Sequence, residues 1–148
     1  MIRSDDIPVG AHIVTPRFGY EHHGIYVGGG RVVHYAGLSR TLRGGPVEEV
    51  DLDAFLGGRE LRIQPSSWAR FAPAAVVERA RSRVGENRYR VTTNNCEHFC
   101  SWCLSGHSRS EQVDRLLARP LTILKAVVQV FAAMPARALQ RAAVLDQA

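Results

Sequence analysis

Three cysteines and six histidines are the residues of this 148-residue chain best suited to covalent or metal chemistry. Cys96, Cys100 and Cys103 fall at i, i+4 and i+7, one face of a helix, and His107 extends the series to i+11. Eleven residues of helix rise about 16 Å, more than one tetrahedral zinc site can bridge, so these four cannot share a metal unless the helix breaks. Cys100 and Cys103 therefore read as core positions. Cys96 differs, because Thr92-Thr93-Asn94-Asn95 ends in a good N-cap residue. At the first position of the helix that follows, unpaired backbone N–H groups and the positive end of the dipole favour thiolate over thiol. Glu97 opposes this with its own charge.

A cysteine nucleophile needs a base within hydrogen-bond reach and a group to orient that base. His12, His22, His23, His34, His98 and His107 compete for the role. His98 lies about 200° round the helix from Cys96 and points elsewhere. The better candidates belong to strands. Residues 11–15, 20–27, 32–35, 47–52 and 61–64 are short and β-rich, and Tyr89–Val91 suggests one more short strand. Gly28-Gly29-Gly30-Arg31 joins the second and third segments as a hairpin. An even-sum register, such as 58, puts His22 and His34 on one sheet face, whereas an odd sum puts His23 beside His34. Periodicity leaves that choice open.

The helical segments read as 73–84, opened by Pro73 and closed at Gly85; 96–104, stopped at Gly106; and 110–117 before Pro120. A further helix over 121–134 carries Thr122, Lys125 and Gln129 as one polar stripe, and a last piece follows Pro135 over 136–145. Trp68 and Trp102 read as core residues, Asn94 and Asn95 as turn and cap, and Glu97 as a solvated or dipole-favourable acid of the first turn.

Three blocks carry a resemblance: His22-His23-Gly24-Ile25-Tyr26-Val27-Gly28, then Val32-Val33-His34, then Asn95-Cys96-Glu97-His98-Phe99. In this order and spacing they resemble the signature blocks of the lecithin:retinol acyltransferase family. That family includes small phospholipase/acyltransferases and belongs to the NlpC-type, papain-like thiol enzymes. The likeness continues through Ser108-Arg109-Ser110-Glu111-Gln112-Val113 and spans roughly residues 6–117. It implies an α+β class with a circularly permuted papain-like arrangement: an antiparallel sheet packed on helices, with the nucleophile at a helix N-terminus. It further implies Cys96 as nucleophile, His22 as general base and acid, and His34 as the group that orients His22, where papain-like enzymes use Asn or Asp. His23 takes the position the family fills with an aromatic residue. The reaction implied is acyl transfer from a lipid ester through a cysteine thioester, to water in a hydrolase or to an alcohol or amine in an acyltransferase. It requires no cofactor and no metal. The Cys96 backbone N–H is a natural oxyanion donor. Tyr20 is the nearest candidate for a second.

Composition bounds the remainder. With 45% hydrophobic residues, 22% charged and no apolar run of 18 residues, the chain reads as globular rather than disordered or multi-spanning. A clustered, odd cysteine count and an acidic N-terminus without an apolar core point to a reducing, cytoplasmic setting. The net charge of +5 rests on 18 Arg and a single Lys. Residues 1–108 hold 13 basic and 11 acidic side chains, and residues 109–148 hold 6 and 3, so the last quarter carries most of the surplus. This gives a catalytic domain over 1–117 and a helical tail over 118–148, with peripheral membrane contact through 119–145 set against packing on the domain or on a partner. The arginines are scattered, which disfavours nucleic acid. Two rivals remain: a cysteine peptidase or amidase of the same clan, and a catalytically idle binding domain.

Overall fold

The computed structural model of the protein describes residues 3–37, 44–118, 125 and 127–130. The chain divides into two compact units, residues 1–113 and 114–148, and every candidate catalytic residue lies in the first. In the second, residues 127–130 are helical and exposed. Most of the tail expected to meet a membrane lies outside the described residues.

The first unit is α+β. Strands β1 (His12–Arg17), β2 (Tyr20–Gly28), β3 (Arg31–Tyr35), β4 (Val47–Asp51) and β5 (Arg62–Ile63) form one antiparallel sheet in the order β4-β3-β2-β1-β5. Helices α1 (Leu52–Leu56), α2 (Pro73–Ser82), α3 (Cys96–Ser105) and α4 (Glu111–Leu117) follow β4 or β5 in the chain. The segment Tyr89–Val91 forms no strand; Arg90 makes an isolated bridge to Asn94.

The β2–β3 hairpin takes the even register, with Gly24 opposite His34 and Ile25 opposite Val33. A bulge between Tyr26 and Gly28 shifts the count by one at the turn, and Gly28, Gly29 and Gly30 all have positive φ. Three successive left-handed residues suit only glycine, so the turn sequence fixes the register and the register sorts the histidines by face. His22 and His34 project to one face with Tyr26, Val32 and Ile13, which pack under Leu52 and Phe55 of α1. His12 and His23 project to the other with Ile25, Val33 and Tyr35, which pack on α2 and α3. Cys100 and Cys103 are fully buried in that second layer. Trp102 packs against it, whereas Trp68, expected in the core, is half exposed.

Helix α3 starts where the sequence places it. Asn95 Oδ1 accepts from the N–H groups of Glu97 and His98, each at 3.0 Å, and the Asn95 N–H donates to His98 Nδ1 at 3.3 Å. A reciprocal cap of this kind satisfies donors that a helix start otherwise leaves unpaired. The segment leading to it is pinned by Glu86, which accepts from Arg83, Asn94 and the Tyr35 hydroxyl. The Arg83 guanidinium, with help from Asn94, holds the Glu86 carboxyl down at about 2. Gly106, at φ 81°, ends the helix.

Candidate active site

Cys96 is the first residue of α3 and is 3% exposed. β3 pairs with β2 only from Gly24 to Gly28, so the β2 backbone before Gly24 finds other partners. Gln112 supplies one set: its Oε1 accepts from the Glu21 N–H at 3.0 Å and its Nε2 donates to the Glu21 carbonyl at 3.3 Å. Cys96 supplies the other, with Sγ 3.9 Å from the Glu21 carbonyl oxygen and the His23 N–H directed at the sulfur. The thiol thus rests against the β2 backbone on both sides of His22, at the place where the sheet's edge opens.

His22 Nε2 lies 2.8 Å from His34 Nδ1, and the two rings meet edge to face. Phe55 stacks on His22 and meets His34 at its edge, sealing the pair from above. Gly24 lies beneath, where a Cβ would come within 2.9 Å of the Phe55 ring. The turn of α1 that carries Phe55 is itself tied down, because Arg17 donates to the carbonyls of Phe55 and Leu56. A cation at the C-terminal end of a helix is favourably placed.

Burial decides the charges. His22 is pushed well below its ordinary pKa by desolvation, with His34 and Arg17 adding to the effect, so it rests as a neutral imidazole. Desolvation also pushes the Cys96 thiol up, to about 11. The helix-start effect expected from the sequence is present, in that the Cys96 and Glu97 N–H groups lower the value, but burial outweighs it. The resting site therefore holds a thiol and a neutral His22 rather than a preformed thiolate.

His23 belongs to a different set. Its Nδ1 lies 2.8 Å from His12 Nε2, and its Nε2 lies 3.1 Å from Gln112 Nε2. Both ring nitrogens are thus occupied on the α3 side of the sheet. Burial holds His12 down at about 3 and His23 at about 4. The sequence does not reveal the role of Gln112, and of the two readings of Glu97, solvated or favoured by the helix dipole, the first does not hold. Instead, Glu97 accepts from Ser110 Oγ, from the Glu111 and Gln112 N–H groups and from Gln112 Nε2, tying the start of α4 to the start of α3. A glutamate set next to a cysteine, and a glutamine just past a Ser-Arg-Ser run, gave only the faint signal of polar residues near an expected helix start. A cavity of about 340 Å³ opens beyond Glu97, lined among others by His12, Trp68, Arg70, Ser101 and His107; Cys96 and His22 do not line it.

The family model described as lecithin retinol acyltransferase matches residues 5–109. The chain is 36% identical over 121 residues to phospholipase A and acyltransferase 2 of Homo sapiens, covering 71% of this chain and 75% of that protein. It is 30% identical over 115 residues to phospholipase A and acyltransferase 4 of Homo sapiens, covering 67% and 70%. To lecithin retinol acyltransferase of Bos taurus it is 28% identical over 138 residues, covering 75% and 60%. A family match across most of the first compact unit, joined to relatives of this likeness, places the chain in the lecithin retinol acyltransferase family.

Proposed function

We propose that the protein is a thiol-dependent acyltransferase or phospholipase that acts on lipid esters through an acyl-enzyme on Cys96. Family membership, with relatives named phospholipase A and acyltransferase, indicates acyl-ester chemistry. The observation that carries the residue assignment is the seat of the sulfur, against the backbone that flanks His22, whose Nε2 is taken by His34. That leaves His22 Nδ1 for the thiol.

Cys96 Sγ–H passes its proton to His22 Nδ1 as sulfur attacks the ester carbonyl carbon, and the Cys96 N–H stabilises the developing oxyanion with Tyr20 as the candidate second donor. The C–O bond of the ester breaks, the leaving alcohol takes the proton from His22, and a thioester remains. Water, an alcohol or an amine then gives its proton to His22 and attacks the thioester carbon. The S–C bond breaks and the proton returns to sulfur. A resting thiol pushed up to about 11 makes this transfer to His22 part of the chemical step rather than a prior equilibrium.

The circularly permuted papain-like arrangement implied by the sequence blocks fits a sheet that precedes its nucleophile helix in the chain. The surplus of 6 basic over 3 acidic side chains in residues 109–148 supports peripheral contact with anionic lipid through 119–145. Among the described residues no helix is long and apolar enough to cross a membrane. A reducing compartment fits three free, buried cysteines.

Intact-mass spectrometry after incubation with phospholipid vesicles tests the assignment. A long-chain acyl adduct is expected on Cys96 in the wild type and absent from Cys96→Ser. An adduct mapped to another residue, or cleavage of a peptide amide with no lipid adduct, would overturn it in favour of a different nucleophile or of the peptidase.

A further inference from the structure

Behind the histidine pair stands a carboxylate that the steps above do not use. In the β3–β4 ladder Glu48 faces His34, both side chains project to the α1 side of the sheet, and Glu48 Oε1 lies 3.2 Å from His34 Nε2. The oxygen stands at ion-pair distance without the alignment of a full hydrogen bond, so it acts on the ring through its charge.

That charge bears on where two protons sit. A neutral imidazole carries one N–H, and the His22 Nε2 to His34 Nδ1 contact of 2.8 Å needs a proton on one of the two nitrogens. In the first arrangement His34 is protonated at Nε2, its Nδ1 accepts from His22 Nε2–H, and His22 Nδ1 keeps a lone pair. In the second His34 is protonated at Nδ1 and donates to His22 Nε2, so the His22 proton moves to Nδ1, where it cannot accept the proton of a thiol. The second arrangement also leaves the lone pair of His34 Nε2 beside a carboxylate oxygen 3.2 Å away, and the first leaves the partial positive charge of an N–H there. We infer that Glu48 is a positioning residue which, through His34, sets the tautomer of the histidine pair so that His22 offers an unprotonated Nδ1 to Cys96. This rests on the proposed role of His22 as base.

Two readouts test it together. In protein labelled with ¹⁵N-histidine, long-range proton–nitrogen spectra of the wild type show His22 and His34 both in the Nε2–H form, and Glu48→Gln shows a mixture in both rings. In parallel, Glu48→Gln lowers kcat for Cys96 acylation about tenfold with KM within about twofold, the size expected for one unit of lost electrostatic bias, and Glu48→Asp recovers part of the loss. Wild-type tautomers together with wild-type kcat in Glu48→Gln would overturn the inference. If wild type itself shows no Cys96-dependent acylation, the functional reading fails instead, and the spectra still decide what Glu48 does.

Discussion

The two histidines adjacent in sequence at the start of β2 are separated by what burial and hydrogen bonding leave free. Among the described residues His22 is held by His34 at one nitrogen, whereas His23 is held by His12 and Gln112 at both. A base must present a lone pair to its proton donor, so the difference favours His22 as the base in the proposed reaction and His23 as a strut between β1, β2 and Gln112. His22→Ala is accordingly expected to cut turnover by roughly 10²- to 10⁴-fold, the usual range for a lost general base, while His23→Ala keeps most of its turnover and loses stability. Initial rates on one phospholipid substrate decide it, and a larger loss at His23 would reverse the assignment. Cys96, His22 and His34 were legible as candidates because the residue types and motif spacing single them out. Their neighbours were not, since Gln112 and Glu48 act across 91 and 14 residues of chain through contacts that only the fold creates.

At the scale of elements, the candidate site hangs on the shortest α-helix among the described residues. α1 spans five residues, too few to display a helical period, and its N-cap Asp51 makes no side-chain cap bond. The sequence pattern therefore suggests a strand over 47–52 and marks no element over 53–56, so the lid of the histidine pair is not visible in it. By contrast α3 was legible to within a residue, because Asn95 and Gly106 mark both of its ends by their chemistry. Phe55 of α1 is 1% exposed and covers both histidine rings. Phe55→Ala removes that cover and opens a cavity, so we expect a loss of about 3–5 kcal/mol in folding stability, with Phe55→Leu intermediate because it keeps more of the volume. Urea unfolding measures both variants. An unchanged midpoint for Phe55→Ala would mean that the helix does not seal the pair, and that the lowered pKa of His22 has another cause.

Across the first compact unit, the sheet carries neutral histidines on both faces, and this sets how the fold responds to acid. The turn glycines and the strand periodicity made the sheet legible, but not which histidines it would bury. His12 is held at about 3, His23 at about 4 and His22 well below its ordinary value, in each case chiefly by desolvation. In the unfolded chain the same groups titrate near 6.5. Between those values the unfolded state binds more protons than the folded one, so the stabilisation is complete above about pH 6.5 and is lost progressively as pH falls toward the folded pKa values. Each histidine contributes a slope of at most about 1.4 kcal/mol per pH unit. Three acting together are large against the roughly 5–15 kcal/mol that holds a typical domain folded. Glu86, held at about 2, contributes only as pH falls below the ordinary carboxylate value, so the window from about 6.5 to 4.5 belongs to the histidines. Urea midpoints should stay level between pH 8 and 7 and fall steeply from 6.5 to 4.5, with a shallower fall in His12→Gln, which removes one of the three protonation sites. A level midpoint down to pH 5 would show that the buried histidines are not neutral in the native state, and with that the picture of a neutral His22 awaiting the Cys96 proton would go too.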